Sequence, residues 1–570
     1  MRILFLAHAF NSLTQRLHVE LTAAGHEVSV EFDVNDRVTE EAVALWRPEL
    51  VVAPFLKRAI PASVWRRHRC LVVHPGIRGD RGPSALDWAI MDGERNWGVT
   101  VLEATGEMDA GPVWASVEFP LRAAAKGSIY RNEVTAAAVA AVTQALARVA
   151  QGAAPAPLDP ADATIRGRGR PLMRQRDRAI DWRRDDTATV LRKVRAADGF
   201  PGVEDAIRGL PCRLFDAHRE GRLRGDAPGA VLARRDGAVC LATVDGAVWI
   251  THLKRVDPNE PTFKLPAAMV LGARVADVPE VPLAPDAAVD HPTWRAIRYE
   301  ERGPVGFLHF PFHNGAMGSG HCAALREAYV AARARPTRVI VLMGGPDFWS
   351  NGIHLNLIEA SDHPAEESWR NINAMDDLVR EILLTEGQLT VAALQGNAGA
   401  GGVFLALAAD RVHARDGIVL NPHYKGMGNL YGSEYWTYVL PRRVGAAPAA
   451  AVTGNRLPLG VRQAAALGLV DAHFGADPAA FVAEVAARAA ALAADPAFDD
   501  LLAAKRARRQ ADEAAKPLER YRDEELARMK LNFFGFDPSY HVARHAFVHK
   551  LPRSRTPLWL AAHRRRAGRA

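Results

Sequence analysis

Four short apolar runs fall within the first 75 residues, at 2–7, 27–32, 50–55 and 70–73, with helix-period segments such as 15–24 and 39–46 between them. Alternation of this kind demands a parallel sheet with helices on both faces, because each strand must be buried on both sides. In such sheets ligands bind beyond the carboxyl ends of the strands. His8, the run Phe55-Leu56-Lys57-Arg58 and His74 all fall there. A long alanine-rich helix over 130–151 closes the module. The GxGxxG fingerprint is missing after the first run, which argues against a nicotinamide cofactor.

The stretch 71–113 carries the first concentration of chemistry. Leu71-Val72-Val73 reads as a buried strand, and His74-Pro75-Gly76 places a histidine where that strand must turn. Arg78-Gly79, Gly82-Pro83-Ser84, a helix over 85–91, a strand over 98–104 and the loop Glu107-Met108-Asp109-Ala110-Gly111 follow. One imidazole at a strand end and one carboxylate in a glycine loop can meet across neighbouring strands. They would hold a reacting carbonyl, with His74 handling a proton and Asp109 orienting it.

At 570 residues the chain exceeds a single core. Boundaries fall at Gly152-Ala153-Ala154-Pro155-Ala156-Pro157 and at the proline- and alanine-rich 278–289. They divide the sequence into 1–152, 165–276, 290–490 and a helical extension 491–570. The second unit opens on the basic loop Arg166-Gly167-Arg168-Gly169-Arg170 and continues into short alternating strands that read as a small β-barrel. The net charge of +7 suits an anionic small molecule and falls short of a dedicated nucleic-acid binder. The four cysteines are far apart and form no CxxC, so neither a disulfide framework nor a metal site is expected. No run of 18 apolar residues exists, and Met1–Ala7 is too short for a signal sequence. These readings give a cytoplasmic chain without a membrane partner.

In the third unit two buried strands each run into a turn: Val339-Ile340-Val341-Leu342-Met343 into Gly344-Gly345 and Ser350-Asn351-Gly352, and 390–394 into Gly396–Gly402. Free backbone N–H groups, one from each turn, would make an oxyanion hole for a thioester. Close helix–strand packing is the plainer use of such glycines. Tyr424 and Glu434, in Asn421-Pro422-His423-Tyr424 and Tyr431-Gly432-Ser433-Glu434-Tyr435-Trp436, are the candidates for moving a proton, since a buried carboxyl can pair with a phenol.

On these residues the chain resembles two families. His74, the Arg-Gly…Pro segment and the Asp-x-Gly loop, with Ile180-Asp181-Trp182 and Phe200-Pro201-Gly202, resemble the formyltransferases that use formyl-tetrahydrofolate. Residues 295–490 resemble the enoyl-CoA hydratase/isomerase (crotonase) family, with Thr453-Gly454 and Ala466-Leu467-Gly468-Leu469-Val470-Asp471 as later landmarks, and that resemblance implies an oxyanion hole made by the N–H groups near Asn351 and of Gly401. There are departures. Formyltransferases usually carry an asparagine two residues before the histidine, and this chain has Val72; losing such a donor costs about 100- to 1000-fold in rate. Where hydratases carry glutamates the chain has Phe404 and His423.

Fused together, the halves resemble the HypX/HoxX hydrogenase-maturation family. That resemblance implies a multidomain α/β chain: a Rossmann-like formyltransferase domain, a small barrel, and a crotonase-like domain with a helical C-terminal segment. It implies formyl transfer from formyl-tetrahydrofolate to coenzyme A, then decarbonylation of formyl-CoA to CO, with transient contact with maturation proteins. The cofactors would lie along Phe55 and Leu56 and along a passage between the sites lined by Gln15, Arg131 and Asn314. Two alternatives stay open: a methionyl-tRNA-type formyltransferase fused to an acyl-CoA hydratase/isomerase, and a non-catalytic maturation scaffold.

Overall fold

The computed structural model describes residues 1–159 and 162–567, without the side chains of Arg566 and Ala567; 160–161 and 568–570, including Arg569 of the arginine-rich tail, lie outside the described residues. Strands β1 (Arg2–Ala7), β2 (Glu27–Phe32), β3 (Leu50–Phe55), β4 (Cys70–His74), β5 (Asn96–Glu103) and β6 (Val113–Pro120) form one sheet in the order β2-β1-β3-β4-β5-β6. Ile3, Phe5, Leu71 and Val73 face one apolar cluster, while Leu4, Leu6, Val51 and Cys70 face another. Burial on both faces is why these strands read as unbroken apolar runs. The parallel expectation holds for β1 to β4. β5 is reversed, antiparallel to both β4 and β6, with His74 opposite Thr100. The short turn 104–112 suits the β5–β6 pairing, since a parallel return would need a crossover.

The long helix begins earlier than the sequence suggests. It runs over Lys126–Ala150, and Tyr130–Val134 within it forms a π turn. Its length and hydropathy would suffice to cross a membrane. Here Ile129, Val134, Ala138, Ala141, Val142 and Ala145 are buried in the sheet's core.

β7 (Val203–Ile207), β8 (Leu210–Glu220), β9 (Val231–Arg235), β10 (Ala238–Ala242) and β11 (Ala247–Arg255) form the small module, paired antiparallel in the order β7-β8-β11-β10-β9, with β12 (Leu265–Pro266) on β11. Helix Thr187–Ala197 packs on it through Val190, Leu191 and Val194.

The third module has two sheets. The larger joins β13 (Arg298–Arg302), β14 (Val305–His309), β15 (Val339–Leu342), β17 (Leu389–Leu394), β19 (Arg411–Arg415) and β22 (Ala472–Phe474). The smaller joins β16 (Phe348–Ser350), β18 (Asn397–Gly399), β20 (Val419–Asn421) and β21 (Leu459–Gly460). The C-terminal helices are no loose extension. Leu518, Met529, Phe533 and Tyr540 belong to this module's main core. Beyond them the chain returns to the first module: Val30 N–H donates to Leu560 O at 3.1 Å, and His563 Nε2 meets Glu31 Oε2 at 2.9 Å.

Candidate functional site

His74, 4% exposed, ends β4. Its turn is held from β5: Trp97 Nε1 donates to Pro75 O at 2.9 Å and Thr100 Oγ1 to Gly76 O at 2.9 Å. Only glycine fits at 76, because a Cβ there would lie 2.3 Å from His74 Nε2. The imidazole stands between two carboxylates. Nδ1 lies 3.5 Å from Asp109 Oδ2, and Nε2 lies 3.0 Å from Asp80 Oδ2. Asp109 adopts φ +54 and accepts Gly82 N–H at 3.2 Å, so the glycine loop aims its carboxylate back at the histidine.

Asp80 was given no role in the sequence reading, although it sits six residues from His74. It is fully buried, with Arg170 Nε 3.3 Å from Oδ1. This explains the basic loop. Arg170 N–H donates to Arg81 O, Gly167 N–H to Arg78 O, and Arg166 and Arg168 pair with Glu118 and Asp92. Of these cations, Arg170 is the one buried against the first site, while Arg166 and Arg168 form surface pairs. Val72 packs with the apolar cluster that includes Leu56 and Trp65, so no polar group replaces the expected asparagine at that position. Phe55 lies between His8 and Tyr130, with ring centroids 6.0 and 6.1 Å away.

The second site is built on a strained turn. Glu434 and Tyr435 both take left-handed φ, +61 and +55. Two consecutive non-glycine residues there cost about 1–2 kcal/mol each. Buried carboxylates from distant helices hold the turn. Asp376, on helix Pro364–Leu383, accepts Glu434 N–H at 2.8 Å. Glu525, on helix Leu518–Phe534, accepts the N–H groups of Tyr435 (2.9 Å) and Thr437 (2.8 Å). The strain sets the Glu434 carboxylate against the glycine loop: a Cβ on Gly401 would lie 2.0 Å from Glu434 Oε1. Tyr424 donates its hydroxyl to Glu434 Oε2 at 2.5 Å, and Phe404 stacks on Tyr424 at 5.3 Å.

Three carboxyls so close, with little cationic help, resist ionisation. Burial first, then Asp376, pushes Glu434 up to about 8. Glu525 rises to about 8 for the same two reasons. Burial pushes Asp376 up to about 7 against the pull of the Glu434 N–H and of Arg522. Burial and the neighbouring Glu434 raise the Tyr424 phenol well above its ordinary value. Tyr424 therefore stays a neutral donor that orients the Glu434 carboxyl.

The oxyanion expectation needs correction at Asn351. Its N–H donates to Gly315 O at 2.7 Å, so the backbone donor at this position is already taken; one of its two side-chain amide hydrogens goes to Asn314 O at 2.8 Å. Gly401 opens helix Gly401–Leu407, and its N–H has no intrahelical carbonyl to meet. The plainer use of the glycines also holds. A Cβ on Gly402 would lie 2.1 Å from Ser350 O, so that glycine lets the helix pack on β16.

The three passage residues gather where the modules meet. Gln15 Oε1 accepts Asn421 Nδ2 at 3.0 Å. Arg131, raised by the π turn, reaches Asp347 Oδ2 at 3.3 Å and Asn314 Oδ1 at 3.4 Å, with its guanidinium 4.7 Å over the Phe348 ring. A cavity of about 710 Å³ opens there, lined by Arg131, Arg195, Lys264, Arg298 and Asn314 among others. Arg195 and Lys264 come from the small module and carry no sequence signal.

Comparison with known proteins agrees with this arrangement. Residues 1–146 match the formyl transferase family, 172–261 the formyl transferase C-terminal domain, and 308–551 the enoyl-CoA hydratase/isomerase family. The hydrogenase maturation factor HoxX of Bradyrhizobium diazoefficiens is 59% identical over 565 residues, covering 99% of this chain and 97% of the relative. The chain belongs to the HoxX/HypX family. Crystalline HypX of Aquifex aeolicus in complex with tetrahydrofolic acid is 51% identical, with a TM-score of 0.96 over 99% of both chains. Methionyl-tRNA formyltransferase of Roseiflexus castenholzii matches only the first part, 32% identical over 176 residues, or 30% of this chain and 55% of the relative. As a HoxX/HypX member the chain is a hydrogenase maturation factor with a formyltransferase part and a crotonase-like part.

Proposed function

We propose that this chain makes the CO ligand of nickel–iron hydrogenase in two steps on one coenzyme A. In the first, formyl-tetrahydrofolate gives its formyl group to the CoA thiol beside His74. Asp80 accepts from the Nε2–H of His74 and fixes the ring, so that Nδ1 takes the thiol proton as sulfur attacks the formyl carbon and returns it to the leaving folate nitrogen. Asp80, and Asp109 at 3.5 Å from Nδ1, stabilise the imidazolium that forms between these events. The folate bound in the Aquifex aeolicus relative supports this half.

In the second step formyl-CoA reaches Gly401. Glu434 removes the formyl hydrogen as a proton, the electron pair left on carbon becomes the CO lone pair, and the thiolate departs. The proton on Glu434 then returns to the thiolate, restoring CoA. Gly401 N–H steadies the carbonyl oxygen. The cavity at Arg131, Lys264 and Asn314 suits the diphosphate of CoA, with the thiol end free to reach both sites. Keeping the intermediate bound prevents its hydrolysis.

The observation that carries this reading is the Glu434 carboxyl, 1% exposed, raised to about 8 and in contact with Gly401. An ordinary hydratase is disfavoured because Phe404, fully buried against Tyr424, stands where water activation would need an acid. Supplying formyl-CoA directly tests the second step alone. Wild type and His74→Ala should both release CO, and Glu434→Gln should not. Equal CO from all three, at the rate of buffer, would end the proposal.

A further inference from the structure

Between the small module and the third module lies a cluster of imidazoles that neither reaction step uses. It begins on the β8–β11 ladder, where Phe215 pairs with His252 and Ala217 with Ile250 in unbroken register. Asp216, between them and facing Thr251, takes φ +55. Asp216 Oδ2 accepts the Thr251 hydroxyl at 2.5 Å. The Thr251 oxygen, its hydrogen already given, can only accept from His252 Nδ1, 2.8 Å away. His252 Nδ1 therefore bears the proton, and Nε2 keeps its lone pair. That Nε2 is buried without a hydrogen-bond partner among the described residues, and His252 as a whole is 8% exposed.

His313 repeats the pattern from the other module. Its Nδ1 lies 3.7 Å from Asp216 Oδ2, and its Nε2 is also buried without a partner. The two rings stack with centroids 4.0 Å apart. Two unsatisfied lone pairs at such close range repel each other and are costly to bury. A cation resolves both problems.

We propose that Asp216, His252 and His313 bind one divalent transition-metal ion of the zinc class. Each offers a ligand atom within 4.8 Å of the other two. Metal–ligand bonds of about 2.0–2.1 Å place tetrahedral ligands roughly 3.3 Å apart, so the set needs only a modest contraction. The Asp216–Thr251–His252 relay is the support that fixes a ligating imidazole in its tautomer. A cavity of about 30 Å³ beside the cluster has room for one ion or water. Three protein ligands leave a fourth position for water or a small ligand. Asp216 and His313 also line the large cavity between the modules.

A second group, Glu359, His545 and His549, is the weaker candidate. Its carboxylate already accepts Arg544 Nε at 2.7 Å, and that guanidinium would repel a metal ion. It serves as the control.

The test is titration of the full-length, chelator-stripped chain with Co(II), read by stoichiometry and by the visible bands of a tetrahedral site, with displacement by Zn(II). One Co(II) per chain is expected. His252→Ala/His313→Ala should abolish the bands, and His545→Ala/His549→Ala should leave them unchanged. Thr251→Val keeps every ligand but removes the relay, and should weaken binding about 10- to 100-fold. Far-UV circular dichroism checks folding; if the double-alanine variant is unfolded, Thr251→Val decides. No tetrahedral Co(II) in the wild type, or unaltered affinity in Thr251→Val with the bands intact, overturns the proposal. This site does not rest on the formyl chemistry, and either can fail without the other.

Discussion

Glu434 has a carboxyl that is neutral where most are ionised, yet must be ionised to act as a base. The rate of CO release from formyl-CoA should therefore climb with pH up to about 8, where Glu434 loses its proton, and flatten beyond. Glu434→Gln should remove that rise and lower the rate on the order of 1000-fold, within the usual range for a general base. Stability should move the opposite way. Between the ordinary value of 4.5 and about 8, folded Glu434 holds a proton that the unfolded chain has released. The unfolded state then binds fewer protons, so stability falls as pH rises through that window. Thermal melts at pH 6 and pH 9 check this: the wild type should lose more over that interval than Glu434→Gln. At the first site, Asp80→Asn should slow formyl transfer on the order of 100-fold while formyl-CoA is still decarbonylated, because the imidazole loses the carboxylate at Nε2. Release of tetrahydrofolate measures the first quantity.

Single elements decide whether these residues reach their places. The π turn Tyr130–Val134 inserts one extra residue per turn and lifts Arg131 and Asn132 toward the third module. Asn132 Nδ2 donates to Asp347 Oδ1 at 3.0 Å and its Oδ1 accepts Arg415 Nη2 at 2.7 Å. Asn132→Leu would leave Arg415 with its Gln395 O bond but strip Nη2 of its buried partner, and should cost about 1–3 kcal/mol, seen as a lower denaturation midpoint. Alanine-rich periodicity revealed the helix but not the π turn, which needs the facing module to be favourable. The same limit applies elsewhere. The strand runs, the His74 turn and the Asp109 loop were legible because local apolar pattern and turn residues determine them. The antiparallel direction of β5 was not, because apolar content is the same in either direction. Asp376 and Glu525 were invisible for a different reason: each lies on an ordinary amphipathic helix, and only the fold brings them under the Glu434 turn. Asn351 was misread because its spacing is right for an oxyanion donor while Gly315, which takes its N–H, comes from another loop.

Across the whole molecule, the C-terminal segment ties the halves together. Helix Leu518–Phe534 completes the second site, and the chain then crosses to β2, where Thr556 and His563 bond Glu31. Truncation after Lys550 would uncover Leu560's contact with the first module's core while leaving Glu525 in place. Such a variant should still release CO from formyl-CoA. It should couple the two steps poorly, letting formyl-CoA escape into solution. On the proposed function both steps run on one chain, so the complete reaction is the most direct test. Purified chain is given formyl-tetrahydrofolate labelled with carbon-13 in the formyl group, with coenzyme A in catalytic amount, and CO is captured by deoxyhaemoglobin. The expected result is labelled CO in excess of the CoA supplied, none from His74→Ala, and labelled formyl-CoA without CO from Glu434→Gln. Labelled formate in place of CO from the wild type, or CO that forms equally well without CoA, would contradict it.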